Sequence, residues 1–242
     1  MNAVILCEGK TDAILLSYYL GKMRGWQAGA KPPKWLEIKP AKNSSESVEW
    51  YQRGDDRLLI CGVGGKDRFA EFFKEKILPP LIDSSAFSKM AVVTDRDNRS
   101  SPEIVASIYS GFKKAITDIK ENEWTTNCFE DGFGLGHTLS FLLLIIPNDS
   151  EGALETVLMN AIMEDQYDKV IVEKSQAFVK EIKPDAMRYL CNRRLELKAQ
   201  LSVTWAIQSP DKAFDFIDEQ IRSVPWEKLD TISQCFSPLL DI

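Results

Sequence analysis

Two stretches of this chain place carboxylates directly after apolar runs. "ILCEGKTD" at 5–12 carries Glu8 and Asp12, and "VVTDRDN" at 92–98 carries Asp95 and Asp97. Carboxylates two residues apart repel strongly unless a cation lies between them. Carboxylate oxygens supplemented by water and a substrate phosphate are the natural ligands of Mg²⁺. The competing reading for Asp95 and Asp97 is a helix cap with solvated charges. A third is a nucleotide P-loop, suggested by "GKT". That motif requires G-x-x-x-x-G-K-[ST], and position 4, where its first glycine belongs, is Val4. Gly65-Lys66 fails as well, with Ile60 at the glycine and Asp67 where Ser or Thr is needed. "GVGGKD" at 62–67 is not a dinucleotide fingerprint, because Asp67 holds the place of its last glycine.

Both carboxylate stretches sit where strands should end. "AVILC" at 3–7 is a continuous apolar run, as expected of a strand buried on both faces. The helix after it places Ile14, Leu15, Tyr18 and Tyr19 on one face, with Thr11 or Asp12 as its cap. Residues 25–57 read as an irregular excursion with a short strand at "WLEIK". "RLLICGVGG" predicts a second strand, followed by a helix across "KDRFAEFFKEKILPPL". "KMAVVTD" predicts a third, leading through "RDNRSSPE" into the helix "EIVASIYSGFKKAITDIKEN". Three repeats of strand, polar turn and helix imply βαβ units and a mostly parallel sheet. All three turns then meet at its carboxyl edge. From about 123 two strands around a Gly-rich turn extend the sheet, and helical patterns follow, among them "EGALETVLMNAIMED", "DAMRYLCNRRLELKAQLSVTWAIQ" and "DKAFDFIDEQIR".

Composition removes several alternatives. The 242 residues are 44% hydrophobic and 27% charged, ordinary for a globular protein. The run "LSFLLLIIP" falls well short of the ~20 residues that span a bilayer. "MNAVILCEGKTD" lacks a signal peptide's basic start and cleavage site, so a cytoplasmic location is expected. Five cysteines without metal-ligand spacing argue against a disulfide framework, and a single histidine, His137, excludes multi-His zinc sites. A Ser-His-Asp triad would have to use His137, and no G-x-S-x-G elbow accompanies it. The net charge of −6 weighs against nucleic acid as a partner. Part of that charge is gathered where bound cations would neutralise it.

Other Asp-x-Asp proteins fit less well. A haloacid-dehalogenase-type phosphatase carries its pair after the first strand, and a receiver-type phosphoacceptor needs two adjacent acids there, where Glu8 stands alone. Together, "ILCEGKTD", "CGVGGKD" and "VVTDRDN" resemble the Toprim family in order and spacing across residues 1–122. The resemblance implies a compact Rossmann-like core over 1–122 that binds Mg²⁺ (or Mn²⁺) and acts on phosphodiester bonds. A sheet extension and helical C-terminal region, 123–242, would pack on that core. Carried over, Glu8 matches the family's general acid/base or metal ligand, Asp95 and Asp97 its metal pair, and Asp12 an acid found in members like the overcoming-lysogenisation-defect nucleases. In that subgroup "ALE" within "IIPNDSEGALETVL" makes Glu155 a ligand for a second metal, with Glu151 as the alternative. The competing reading is that both only complement a helix dipole. Lys198, on a helix near the end of the same group, would contact the transferring phosphate; otherwise it lies on a solvated helix face.

The chain is also similar to small standalone bacterial Toprim-related proteins. It has no room for a topoisomerase gate domain, no primase zinc spacing and no P-loop ATPase. The expectation is therefore a Mg²⁺-dependent nuclease or phosphotransferase on DNA or RNA, in DNA repair or phage defence. The alternative is a non-catalytic module that binds nucleotide or nucleic acid, working with a separate ATPase partner or as a homo-oligomer. Lys10, Lys66, Arg68, Arg96 and Arg99 lie in or just after the rim turns, where they would meet a phosphate backbone. Arg193, Arg194 and Lys198 would extend that surface if the helical region folds over the rim.

Overall fold

The computed structural model describes residues 2–212 and 217–242. Its centre is a seven-stranded mixed sheet of order β2-β3-β4-β1-β5-β7-β6. β1 (Asn2–Cys7), β4 (Asp56–Gly62), β5 (Lys89–Asp95) and β7 (Gly136–Ile146) run parallel. The flanks are antiparallel: β2 (Gln27–Ala28) and β3 (Ser47–Arg53) on one side, β6 (Trp124–Glu130) on the other. The parallel strands are apolar throughout because both of their faces are covered. In β1, Ala3, Ile5 and Cys7 enter one core while Val4 and Leu6 enter the other. β5 divides in the same way, with Ala91 and Val93 opposite Met90 and Val92.

The first core is roofed by α1 (Lys10–Arg24), α5 (Leu154–Ile162), α7 (Arg193–Gln208), α8 (Ile217–Ser223) and α9 (Asp230–Phe236). α6 (Gln166–Ile182) packs outside, contributing Val172. The second core lies under a helical segment made of α2 (Phe69–Phe72), a π turn (Phe73–Ile77) and α3 (Leu78–Ser84), together with α4 (Ser101–Phe112). α1 and the helices of residues 154–236 thus share one face. β7 is inserted between β5 and β6, so residues before and after 122 build the same sheet. No helix of the described residues is long and apolar enough to cross a membrane.

Three expectations are corrected. "WLEIK" is not a strand: Leu36 and Ile38 are buried, but Pro32, Pro33 and Pro40 flank them and no ladder forms. The strands in that excursion are the short β2 and β3, whose residues Val48 to Arg53 pair antiparallel with β4. The helix expected to reach 122 stops at Phe112. Beyond it Ala115 and Ile116 turn into the core, and the Thr117 and Asp118 amides donate to Asn127 Oδ1 at 2.8 and 2.7 Å. The pattern over "DAMRYLCNRR" is turns until Asn192, whose Oδ1 caps α7 by accepting from Leu195 N–H at 3.0 Å. Within "DKAFDFIDEQIR", residues 213–216 lie outside the described residues.

Candidate metal and phosphate site

Three strand ends converge at the carboxyl edge of the sheet. Glu8 leaves β1, Gly62 ends β4 and Asp95 ends β5. The turns are tied together through backbone. The amides of Gly64 and Gly65 donate to the Glu8 carbonyl at 3.0 and 2.8 Å. Gly62 sits so close to the first turn that a Cβ there would meet Gly9 C at 2.8 Å and Ser47 Oγ at 2.6 Å. This is the physical reason for a glycine at the end of the second strand. Beyond β5, Asp97 adopts φ 54° and exchanges two backbone hydrogen bonds with Gly152, at 2.6 and 3.0 Å. The approach to α5 is thereby locked to the third turn.

Glu8 is buried, and its Oε1 accepts from Thr94 Oγ1 at 2.9 Å and from the Asp95 amide at 3.0 Å. Asp95 is also buried, and its Oδ1 accepts from Leu154 N–H in the first turn of α5 at 2.9 Å. Asp12 stands at the third position of α1 and accepts from the N-cap Gly9 amide at 3.1 Å. Glu155, in the first turn of α5, lies 3.6 Å from Lys198 Nζ. These carboxylates feel one another. Burial raises the Asp12 carboxyl to about 7, with Glu8 and Glu155 adding to the shift. Burial also lifts Glu8, and it lifts Asp95 well above the carboxylate range, helped by Glu8, Asp12 and Glu155.

A cleft of about 330 Å³ opens over Glu8, Asp95 and Asp97. Its other walls are Lys66 and Asn98 from the rim turns, and Asn192, Arg193 and Arg194 from the start of α7. Asn98 and Asn192 carried no sequence signal beyond their positions beside Asp97 and a basic pair. Lys66 Nζ is 2.5 Å from Asp97 Oδ2. Arg194 draws the Glu8 carboxyl down against the burial that raises it. Arg193 pairs with Glu151 at 2.7 Å, which directs Glu151 to an exposed ion pair with α7.

The other basic residues divide. Lys10 is exposed on α1. Arg68 is engaged by Glu71 at 2.8 Å and Glu46 at 3.6 Å. Arg99 folds back under the third turn, with Nη2 3.5 Å from the Asp95 carbonyl oxygen. Arg96 is not a free phosphate contact. Its guanidinium donates to the Pro147 and Asn148 carbonyls at 3.0 and 2.6 Å, to Ser101 Oγ at 2.6 Å and to Glu121 at 2.5 Å. It staples the exit of β5 to the exit of β7. Arg96→Gln is expected to cost about 2–3 kcal/mol in urea unfolding, because it strands these acceptors and Glu121. An unchanged midpoint would deny the staple. His137 pairs with Asp131 at the tip of the β6–β7 hairpin, at the opposite edge, so it does not meet the carboxylates.

Hard oxygen donors in a poorly solvated, self-repelling group suit a divalent cation of the Mg²⁺ class. Glu8 and Asp95 each commit one oxygen to the protein and keep the other unbonded. Among the described residues, no three His, Cys, Asp or Glu side chains converge as a finished ligand set. A cation here would therefore complete its shell with water or substrate oxygens, as Mg²⁺ commonly does.

The family described as "Protein of unknown function (DUF3226)" matches residues 2–232. The chain belongs to the DUF3226 family. No curated protein matches it. The crystal structure of hypothetical protein PH0156 from Pyrococcus horikoshii OT3 is similar to it, with a TM-score of 0.58 and 16% identity over 99% of this chain and 98% of that one. At that identity the likeness speaks for the fold alone. The chemistry of the DUF3226 chain rests on its own side chains.

Proposed function

We propose that this DUF3226 chain is a Toprim-type enzyme that cleaves or transfers phosphodiester bonds of DNA or RNA with Mg²⁺ or Mn²⁺. The observation that carries the reading is the convergence of Glu8, Asp95 and Asp97 on one cleft at the sheet edge, walled by Lys66 and Arg194. Asp95 and Asp97 would hold the metal, with Asp12 and Glu155 placed for a second. Bound there, the ion would neutralise charge on the phosphoryl group and help activate the attacking oxygen.

Glu8 is the proton carrier. The Thr94 hydroxyl and the Asp95 amide hold one of its oxygens, leaving the other to take a proton from the attacking oxygen or give one to the leaving group. Burial, which raises its carboxyl above the ordinary value, suits a proton-carrying role. Arg194 and Lys66 bind the phosphodiester as charged donors. Lys198, held against Glu155, orients that carboxylate.

Calorimetric titration with Mn²⁺ tests the reading. The wild type is expected to bind, and the Asp95→Asn/Asp97→Asn double variant to lose binding while keeping its far-UV spectrum. A folded wild type that takes up no Mn²⁺, even with single-stranded DNA present, would overturn it.

A further inference from the structure

The cleft already contains a cation of its own. Lys66 emerges from the Gly64–Gly65 turn, which is anchored on the Glu8 carbonyl, and its ammonium rests on Asp97 Oδ2 at 2.5 Å. The two partners are only partly exposed, Lys66 by 37% and Asp97 by 25%, so the pair is less screened than a surface one. Asp97 cannot easily yield by moving away. Its backbone is fixed to Gly152 by two hydrogen bonds and held at φ 54°. Lys66, by contrast, swings on four methylenes. The lysine is therefore the more mobile partner of the pair.

We infer that Lys66 is an intrinsic counter-ion that competes with the divalent metal for Asp97 and couples metal loading to capture of an anionic phosphodiester. This rests on the proposed function above. A metal ion reaching Asp97 must displace the ammonium, and a displaced ammonium inside a cleft has lost its charge partner. The anion that best restores one is a phosphodiester lying against Lys66 and Arg194. Each ligand then removes a cost that the other would bear alone, which is positive coupling between two sites. The substrate class is a ligand carrying its negative charge on an internal phosphate. An uncharged analogue of the same shape gives Lys66 nothing to exchange for Asp97.

Mn²⁺ affinity provides the readout, independent of turnover. It is measured calorimetrically for the wild type, Lys66→Gln and Lys66→Arg, each alone, with dithymidine phosphodiester and with its neutral methylphosphonate analogue. In the wild type the phosphodiester is expected to tighten Mn²⁺ binding about tenfold, within the usual range of coupling between sites, and the methylphosphonate to leave it unchanged. Lys66→Gln should bind Mn²⁺ about tenfold tighter without any dinucleotide and lose most of the phosphodiester effect. Lys66→Arg keeps the charge and should behave like the wild type. Thermal unfolding confirms that each variant is folded, which the partial exposure of Lys66 favours. Equal Mn²⁺ affinity for wild type and Lys66→Gln would overturn the counter-ion role while leaving the metal site in place. Equal effects of the charged and neutral dinucleotides would overturn the coupling. Failure of every folded form to bind Mn²⁺ would remove this inference together with the function it rests on.

Discussion

Glu8→Gln is expected to lower turnover by about 10²–10⁴-fold, the usual contribution of a positioned acid or base, with Mn²⁺ present and on whichever of plasmid, single-stranded DNA or structured RNA the wild type cleaves. The substitution preserves shape. A glutamine oxygen accepts from Thr94 Oγ1 and the Asp95 amide as Glu8 Oε1 does, at 2.9 and 3.0 Å in the native chain. The amide nitrogen in place of the other oxygen cannot carry a proton between reacting atoms. Removing one charge from a group of mutually repelling carboxylates also relieves repulsion, so the variant should be no less stable than the wild type. Mn²⁺ binding through Asp95 and Asp97 should survive. Undiminished cleavage would take the proton-carrying role away from Glu8. Intact binding of nucleic acid and metal by a wild type that turns over none of the three substrates would point instead to a binding module serving a separate partner.

The second expected effect is an inverted dependence of stability on pH. Ordinary carboxylates that gain partners on folding strengthen a protein as pH rises through their normal range. At this site the sign is opposite. Burial, reinforced by neighbouring carboxylates, raises Asp12 to about 7 and lifts Glu8 and Asp95 as well. The folded chain thus holds protons that the unfolded chain releases near pH 4. For Asp12 that contribution is complete below about pH 4 and lost as pH rises through about 7, and the raised Glu8 and Asp95 act in the same direction. For Asp12 alone the ceiling is on the order of 4 kcal/mol. Carboxyls drawn downward, such as Glu46 beside Lys76 and Asp131 beside His137, act at lower pH and do not mask the trend. In EDTA, urea unfolding should show stability declining from pH 5 to pH 8, and Asp12→Asn should flatten part of the decline. Millimolar Mg²⁺ should stabilise the protein more at pH 8 than at pH 5, since the ion replaces the missing protons. A flat or rising curve in EDTA would contradict the burial and coupling of this cluster.

Much of the architecture was legible because it depends on local pattern. Unbroken apolar runs at 3–7, 58–61 and 90–93 allow only strands covered on both faces, and the polar turn after each must lie at the same edge. The pattern alone brings Glu8, the 62–66 turn and Asp95 to one edge. β3 carries a weaker signal, with Trp50 and Tyr51 buried side by side between polar neighbours. It was obscured by the prolines and glycines of the surrounding excursion. The early end of α4 was not legible: beyond it the Thr117 and Asp118 amides are taken by Asn127, a residue on a later strand.

The sequence by itself determined which side chains stand at strand ends and in helix first turns, since period and turn chemistry are properties of neighbouring residues. It also determined that the chemistry would rest on carboxylates, with one histidine and no metal-spaced cysteines to compete. Only the tertiary structure decided what each charge faces. It turned Arg96 from a rim cation into a staple between two strand exits, sent Glu151 to Arg193, set Lys66 on Asp97 and brought Arg194 over Glu8. The reason is physical: a long flexible side chain goes to the nearest uncompensated charge, and that charge comes from parts of the chain far away in sequence.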